Sequence, residues 1–319
     1  DLQGGSLTVA EGGEANGALT GGGELNLTGG SLKVRGDNST LTAKTTIAEG
    51  ASAVLDSGLG LGIGNIVTAG TLALNDAAGV LYNALSNKGR VELTGSDILL
   101  AGDNREFSGV FDIDSGSTLA VSVAENLGSA GVKNDGALVL NSTSDWTLNN
   151  SVTGQGSVTK RGSGTITVGS DADWSGATDI LEGGLSLGSE SQPTMHGSSQ
   201  FNIAQQGMLS GFGGVAGNID NAGMMLVGTG KETSSLTFNV GGNLINSGTV
   251  ATGFAGQQAG NQLRVKGNYV GHDGLLFLNT VLDNDHSVTD KLIVEGDTSG
   301  NTFVSVTNAG GKGADTLNG

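Results

Sequence analysis

The chain has 319 residues, with 59 Gly, a single Pro and no Cys, and 14 basic against 31 acidic residues leave a formal net charge of −17. Leu, Val, Ile and Phe fill about a quarter of the positions, which excludes a disordered tail. The glycines keep no three-residue period, which excludes collagen, and no apolar run nears the roughly 18 residues of a membrane-spanning helix. Such acidity also argues against nucleic acid and anionic lipid surfaces as partners, because little here would neutralise phosphates.

Asp1 to Gly5 carry neither the basic start nor the apolar stretch of a signal peptide. From there one unit, Gly-x-Leu-x-Leu with aliphatic variants, recurs along the chain. Copies stand at Gly5–Val9, Gly23–Leu27, Gly30–Val34, Gly70–Leu74, Gly89–Leu93, Gly136–Leu140, Gly164–Val168 and Gly223–Val227. Apolar and polar residues alternate within each copy, the two-residue period of a half-buried strand. The flanking Gly, Asn, Asp and Ser supply turns. No apolar stripe of helical period outlasts about two turns.

The copies return every 20 to 25 residues: Gly116 to Gly136, Gly136 to Gly156, Gly164 to Gly184, Gly223 to Gly248. That period, built only of short strands and turns, predicts an all-β fold, a right-handed parallel β-helix with two or three strands per coil. At roughly 22 residues per coil the chain accommodates about 14 or 15 coils, a rod near 70 Å long. Proline would remove a hydrogen bond between coils, and Pro193 falls in the irregular stretch Ser189–Thr194. The alternative, an array of β-sandwiches, would need antiparallel hairpins. Zero cysteine suits either a cytosolic protein with no use for the residue or one that crosses a membrane unfolded. The low charged fraction, with Ser, Thr, Asn and Gly dominating the polar positions, favours an extracellular repetitive protein.

Two stretches resemble a known family. Gly154–Val168, with Asp173-Trp174-Ser175-Gly176 and Gly183–Leu187 after it, is similar to the passenger-associated repeat of bacterial autotransporters; Asn104–Ile113 is a degenerate copy. Leu263–Tyr269, Gly274-Leu275-Leu276, Thr289–Gly296 and Thr298–Thr302 resemble, in order and spacing, the pertactin-like C-terminal passenger region called the autochaperone. The resemblance implies a type V autotransporter passenger of the AIDA and pertactin-like kind. It would have a β-helical stem over 1–206 and a cap or autochaperone over 207–319. It further implies an outer-membrane barrel as partner, of which no strand pattern is visible here, and a place on the bacterial cell surface, with or without later release. The autochaperone would nucleate passenger folding during export, with Leu275, Leu276, Phe277, Leu278, Leu292, Ile293 and Val294 as nucleus candidates.

The chemistry-bearing residues read mostly as structure. Asp114-Ser115-Gly116-Ser117 echoes a serine-nucleophile core, but His196, His272 and His286 all lie downstream, against the chain order of that protease class. The histidines lack zinc spacing, and neither Asp171-Ala172-Asp173 nor Asp283-Asn284-Asp285 continues into a calcium loop. No metal or cofactor is implied. Arg35-Gly36-Asp37 is the integrin-binding tripeptide, placed where a turn is expected; Gly36 is equally what a β-corner wants. Three functions stay open. The first is self-association with like passengers on neighbouring cells, giving aggregation and biofilm. The second is adhesion to host cells, glycans or matrix, and the third is a polysaccharide-cleaving β-helix enzyme.

Overall fold

A computed structural model describes residues 1–315. Wherever the Gly-x-Leu-x-Leu unit occurs, its alternation becomes a strand with the aliphatics inside: Leu25 and Leu27 in Glu24–Leu27, Leu119 and Val121 in Thr118–Val121, Ile166 and Val168 in Thr165–Val168. Each such strand pairs in parallel with the strand one coil later, so the chain is an all-β parallel β-solenoid. It divides into two compact units, residues 1–142 with 149–158, and residues 143–148 with those from 159 onward.

In the first unit three sheets run along the stack. One takes Ser6–Val9, Glu24–Leu27, Lys44–Ile47, Ile66–Thr68 and Leu85–Ser86. A second stacks Leu32, Ala53, Leu72, Val91, Phe111, Val132 and Val152 in register, one residue every 19 to 21 positions. The strand Thr71–Leu81 turns a corner, and its second half opens the third sheet, followed by Asp97–Leu100, Thr118–Val121 and Ala137–Asn141. Each inward position thus meets its counterparts one coil above and below, and the core is a set of aliphatic columns.

The second unit repeats the plan with longer coils. Its inward column runs Ile166, Leu185, Leu209, Met225, Val250 and Leu276, and the exposed Val304 continues its register on the last strand. From Met225 onward the steps are 25 to 28 residues, so a uniform coil of roughly 22 residues does not hold there. The extra residues form loops such as 252–261 and 281–290. Pro193 lies beside a short antiparallel bridge, Ser189 with Gln192, outside the stacked strands.

Corners of the first unit are closed by asparagines that the sequence presents as simple turn formers. Asn38, Asn83, Asn104, Asn126 and Asn150 are buried. Asn104 accepts the Leu85 N–H on Oδ1 (2.7 Å) and donates from Nδ2 to the Asn126 carbonyl (2.6 Å), tying the coil before to the coil after. Asn38 does the same between Leu19 and Gly60. Close stacking at this corner also demands glycine: Gly128 has φ +57°, and a Cβ there would strike the Asn104 carbonyl oxygen. Replacing Asn104 by Ala strands a backbone donor and acceptor in the interior. We expect a loss of about 2–4 kcal/mol in urea unfolding, against less than about 0.5 kcal/mol for Asn141→Ala on the exposed side.

Candidate interaction surface

The tripeptide Arg35-Gly36-Asp37 leaves the strand Ser31–Val34 at a corner, and all three residues are exposed. Gly36 has φ +73° and donates its N–H to Asp56 Oδ1 (2.7 Å) on the next coil. The Arg35 guanidinium lies 3.7 Å from the same carboxylate, and Asp37 accepts the Ser39 N–H (2.8 Å) in an Asx turn. Beside it an open groove of about 430 Å³ is lined by Lys33, Arg35, Leu55, Asp56, Asn75 and Asp76. Geometry therefore serves both readings: Gly36 makes the β-corner, and Arg35 and Asp37 are presented to solvent.

Ser115 sits in an exposed turn, with the Ser117 N–H donating to the Asp114 carbonyl (2.9 Å), and the histidines belong to the other unit. His272 and His286 are exposed. Asp173 uses one carboxylate oxygen to accept the Gly197 N–H (2.6 Å). Among the described residues no group of three or more His, Cys, Asp or Glu is placed to hold a metal.

His196 is buried against Trp174 and Phe201, with ring centroids 4.2 and 5.8 Å away. Its Nδ1 accepts the Ser198 N–H (3.1 Å), so the ring is held neutral. Burial depresses its pKa to about 4, with Asp173 and the Ala172 carbonyl acting in the opposite direction. Lys160, within the Gly154–Val168 stretch, is also buried. Its ammonium donates to the carbonyls of Arg161, Gly162 and Glu182 (2.7, 2.6 and 3.1 Å), and desolvation pulls its pKa below the usual lysine value. Neither burial is visible in the sequence, where both residues look like solvent-facing turn neighbours.

The C-terminal coils are organised by Asp290, which is 1% exposed. One carboxylate oxygen accepts the N–H groups of Gly260 and Asn261 (2.7 and 2.8 Å). The other accepts Thr252 Oγ1 and the Asn279 N–H (2.6 and 2.8 Å). Two long loops and the strand Tyr269–Thr280 converge on this one side chain. An exposed ladder runs alongside: Asn218, Asn243 and Asn268 each accept the backbone N–H one coil later, from Asn243, Asn268 and Asp297.

Of the apolar run Leu275–Leu278, Leu276 alone is buried; Leu275 and Phe277 fall on the opposite face of the strand, and Leu278, on the face of Leu276, is half-buried. Leu275 and Phe277 turn outward and line, with Met224, Ala251 and Phe254, an apolar depression of about 190 Å³. Leu292, Ile293 and Val294 are half-buried, and Phe303, Val304 and Val306 on Thr298–Asn308 are more than half exposed.

Residues 239–319 match the family model described as autochaperone domain type 1. The chain is 46% identical over 318 residues to an uncharacterized protein, YuaQ, of Escherichia coli K12, covering 100% of this chain and 21% of that protein. It is 51% identical over 63 residues (20% of this chain, 2% of the relative) to the adhesin BmaC autotransporter of Brucella suis. Over 64 residues it is 42% identical (20% and 5%) to the autotransporter adhesin AIDA-I of Escherichia coli. The chain thus spans about a fifth or less of the length of these curated relatives. No solved structure matches it.

The buried Asp290 and His196 each carry a measurable consequence. Asp290→Ala orphans four donors at once, and we expect it to lower the stability of the second unit by about 3 kcal/mol or more. Limited proteolysis at the 252–261 loop would report the change, with Asp290→Asn milder. His196 has a folded pKa near 4 against an ordinary 6.5. Its contribution is complete above pH about 6.5 and disappears as pH falls to about 4, amounting to about 3 kcal/mol. Unfolding free energies at pH 7 and pH 4 should therefore differ less for His196→Gln than for the parent.

Proposed function

This chain is an autotransporter passenger region with an autochaperone domain, and we propose that it works as an adhesin on the outer face of the bacterial cell. The passenger binds like passengers on neighbouring cells and so drives aggregation and biofilm. The observation that carries the reading is the similarity of the C-terminal coils to two autotransporters named as adhesins. It is supported by a stack whose outward positions present polar side chains in register from coil to coil, as in Thr118 beside Asp97 and Thr167 beside Thr147. Repeated weak contacts along such faces add up when many copies meet at once.

The autochaperone region nucleates folding during export. Folding from 207–319 would give each following coil a template on which to bury its aliphatics, and each square ångström of apolar burial contributes about 25 cal/mol. Asp290 supports this role, since it ties the 252–261 loop and its own loop to the strand Tyr269–Thr280 across two neighbouring coils. Its outer-membrane barrel is the export partner.

A second reading, attachment to host cells, glycans or matrix, draws on the exposed Arg35-Gly36-Asp37 corner.

Cells displaying the passenger should settle from suspension within hours, and deleting 239–319 should cut both protease-resistant passenger and settling by roughly tenfold, the scale of about 1.4 kcal/mol per decade. Settling that survives the deletion would remove the nucleating role. Attachment to host cells that falls on Asp37→Glu, with settling unchanged, would move the second reading to first place.

A further inference from the structure

The outward positions of a β-solenoid are normally polar, and in the first unit one column departs from this. Val80, Leu99, Ala120 and Val139 pair in register through Thr71–Leu81, Asp97–Leu100, Thr118–Val121 and Ala137–Asn141. None of the four is buried; Leu99 is 38% exposed and the others are half-buried. They form a continuous apolar stripe across four coils about 4.8 Å apart. The neighbouring sheet carries charges at the corresponding outward places, Glu92, Asp112 and Lys133 in register, with Arg90 reaching across to Asp112 and Lys133 paired to it. A contiguous apolar patch on an acidic, repetitive surface marks a contact site.

The order of sizes along the stripe identifies the partner. Read from one end it runs medium, large, small, medium. Reversed, it places Leu99 opposite Ala120, Ala120 opposite Leu99, and the two valines opposite each other. A second copy turned end for end about an axis parallel to the strands therefore meets a complementary surface, each Leu99 filling the step left by the other copy's Ala120. This is the isologous arrangement of a two-fold contact, in which residue i meets j and j meets i. The adjacent outward column obeys the same reversal. Asp97 faces Thr118, a carboxylate acceptor against a hydroxyl donor, so the turned copy brings no like charges together beside the stripe.

We propose that this face is the homotypic contact of the passenger, with two copies packed antiparallel, sheet on sheet, through Val80, Leu99, Ala120 and Val139. The proposal rests on the self-association reading and names the surface that reading leaves open. Antiparallel packing is what two stacks projecting from facing cells require. The stripe buries only on the order of a few hundred Å² per copy, well under the roughly 800 Å² per partner of a stable complex. The contact is therefore weak singly and effective through many copies between two cell surfaces.

The test uses cells displaying the full passenger on an outer-membrane barrel, with display checked by surface labelling and protease resistance. Leu99→Lys and Ala120→Asp each set charges against apolar partners in the turned copy. Each strain alone should settle roughly tenfold more slowly than the parent, a loss of the order seen when interface charges are left unpaired. Mixed one to one, the two strains should settle together, because Lys at 99 then faces Asp at 120. Recovery in the mixture supports the antiparallel face. Parental settling of either single strain overturns it, as does a mixture that stays dispersed with both variants displayed. If a charged variant fails to fold, Val80→Thr with Val139→Thr decides the matter: slower settling supports the face and unchanged settling overturns it. A parent strain that does not settle sinks the self-association reading itself, which separates that failure from failure of the face.

Discussion

Parallel register between successive coils is the constraint from which the rest of this molecule follows. A residue's neighbours are set less by its place in the sequence than by the residue one coil away. Backbone N–H and C=O groups find their partners along the stack, as where the Val110 N–H meets the Gly89 carbonyl and the Gly131 N–H meets that of Gly109. Inward side chains find theirs in the same direction. This explains why alternation, glycine at tight corners and a nearly steady repeat recur while the intervening residues vary freely. It also explains why polar groups can be buried at low cost: a side chain at a corner is always within reach of a backbone group above or below it.

That last point separates what is legible in the sequence from what is not. Aliphatic alternation is a local signal, and by itself it predicts strands such as Thr118–Val121 and Thr165–Val168 and their parallel stacking. Exposure of Arg35-Gly36-Asp37 is legible for the same reason, since a turn after an alternating strand faces solvent. Asn104, Lys160, His196 and Asp290 are not legible as interior residues. Their burial is decided by residues 19 to 30 positions away, and locally each has the signature of a solvated turn. The run Leu275–Leu278 misleads in the other direction. Its apolar content suggests core, but a strand can bury only alternate residues, and Leu275 and Phe277 are turned outward.

The C-terminal coils show how the same rule is adapted where coils lengthen. Steps of 25 to 28 residues leave chain that a plain corner cannot absorb. A loop of that kind costs backbone entropy unless its own polar groups are tied down. Asp290 accepts three hydrogen bonds from the 252–261 loop and one from the strand Tyr269–Thr280, and the asparagines at 218, 243 and 268 fix another corner one coil at a time. Ordering that depends on contacts within a few neighbouring coils can form early and locally, which is the property a folding nucleus needs.

Electrostatics then sorts the outside of the stack. A net charge of −17 keeps copies apart in general, because two such surfaces repel within the screening length. Contact between copies is favoured only where charge is absent or locally balanced. The first unit offers an uncharged column through Leu99 and Ala120 and, on the adjoining sheet, an ion-paired ladder in which Asp112 is shared between Arg90 and Lys133. Repulsion elsewhere on the surface disfavours misaligned encounters, so an acidic composition and a cohesive role do not conflict. In the proposed homotypic contact, acidity would narrow the approach to the register in which apolar steps meet.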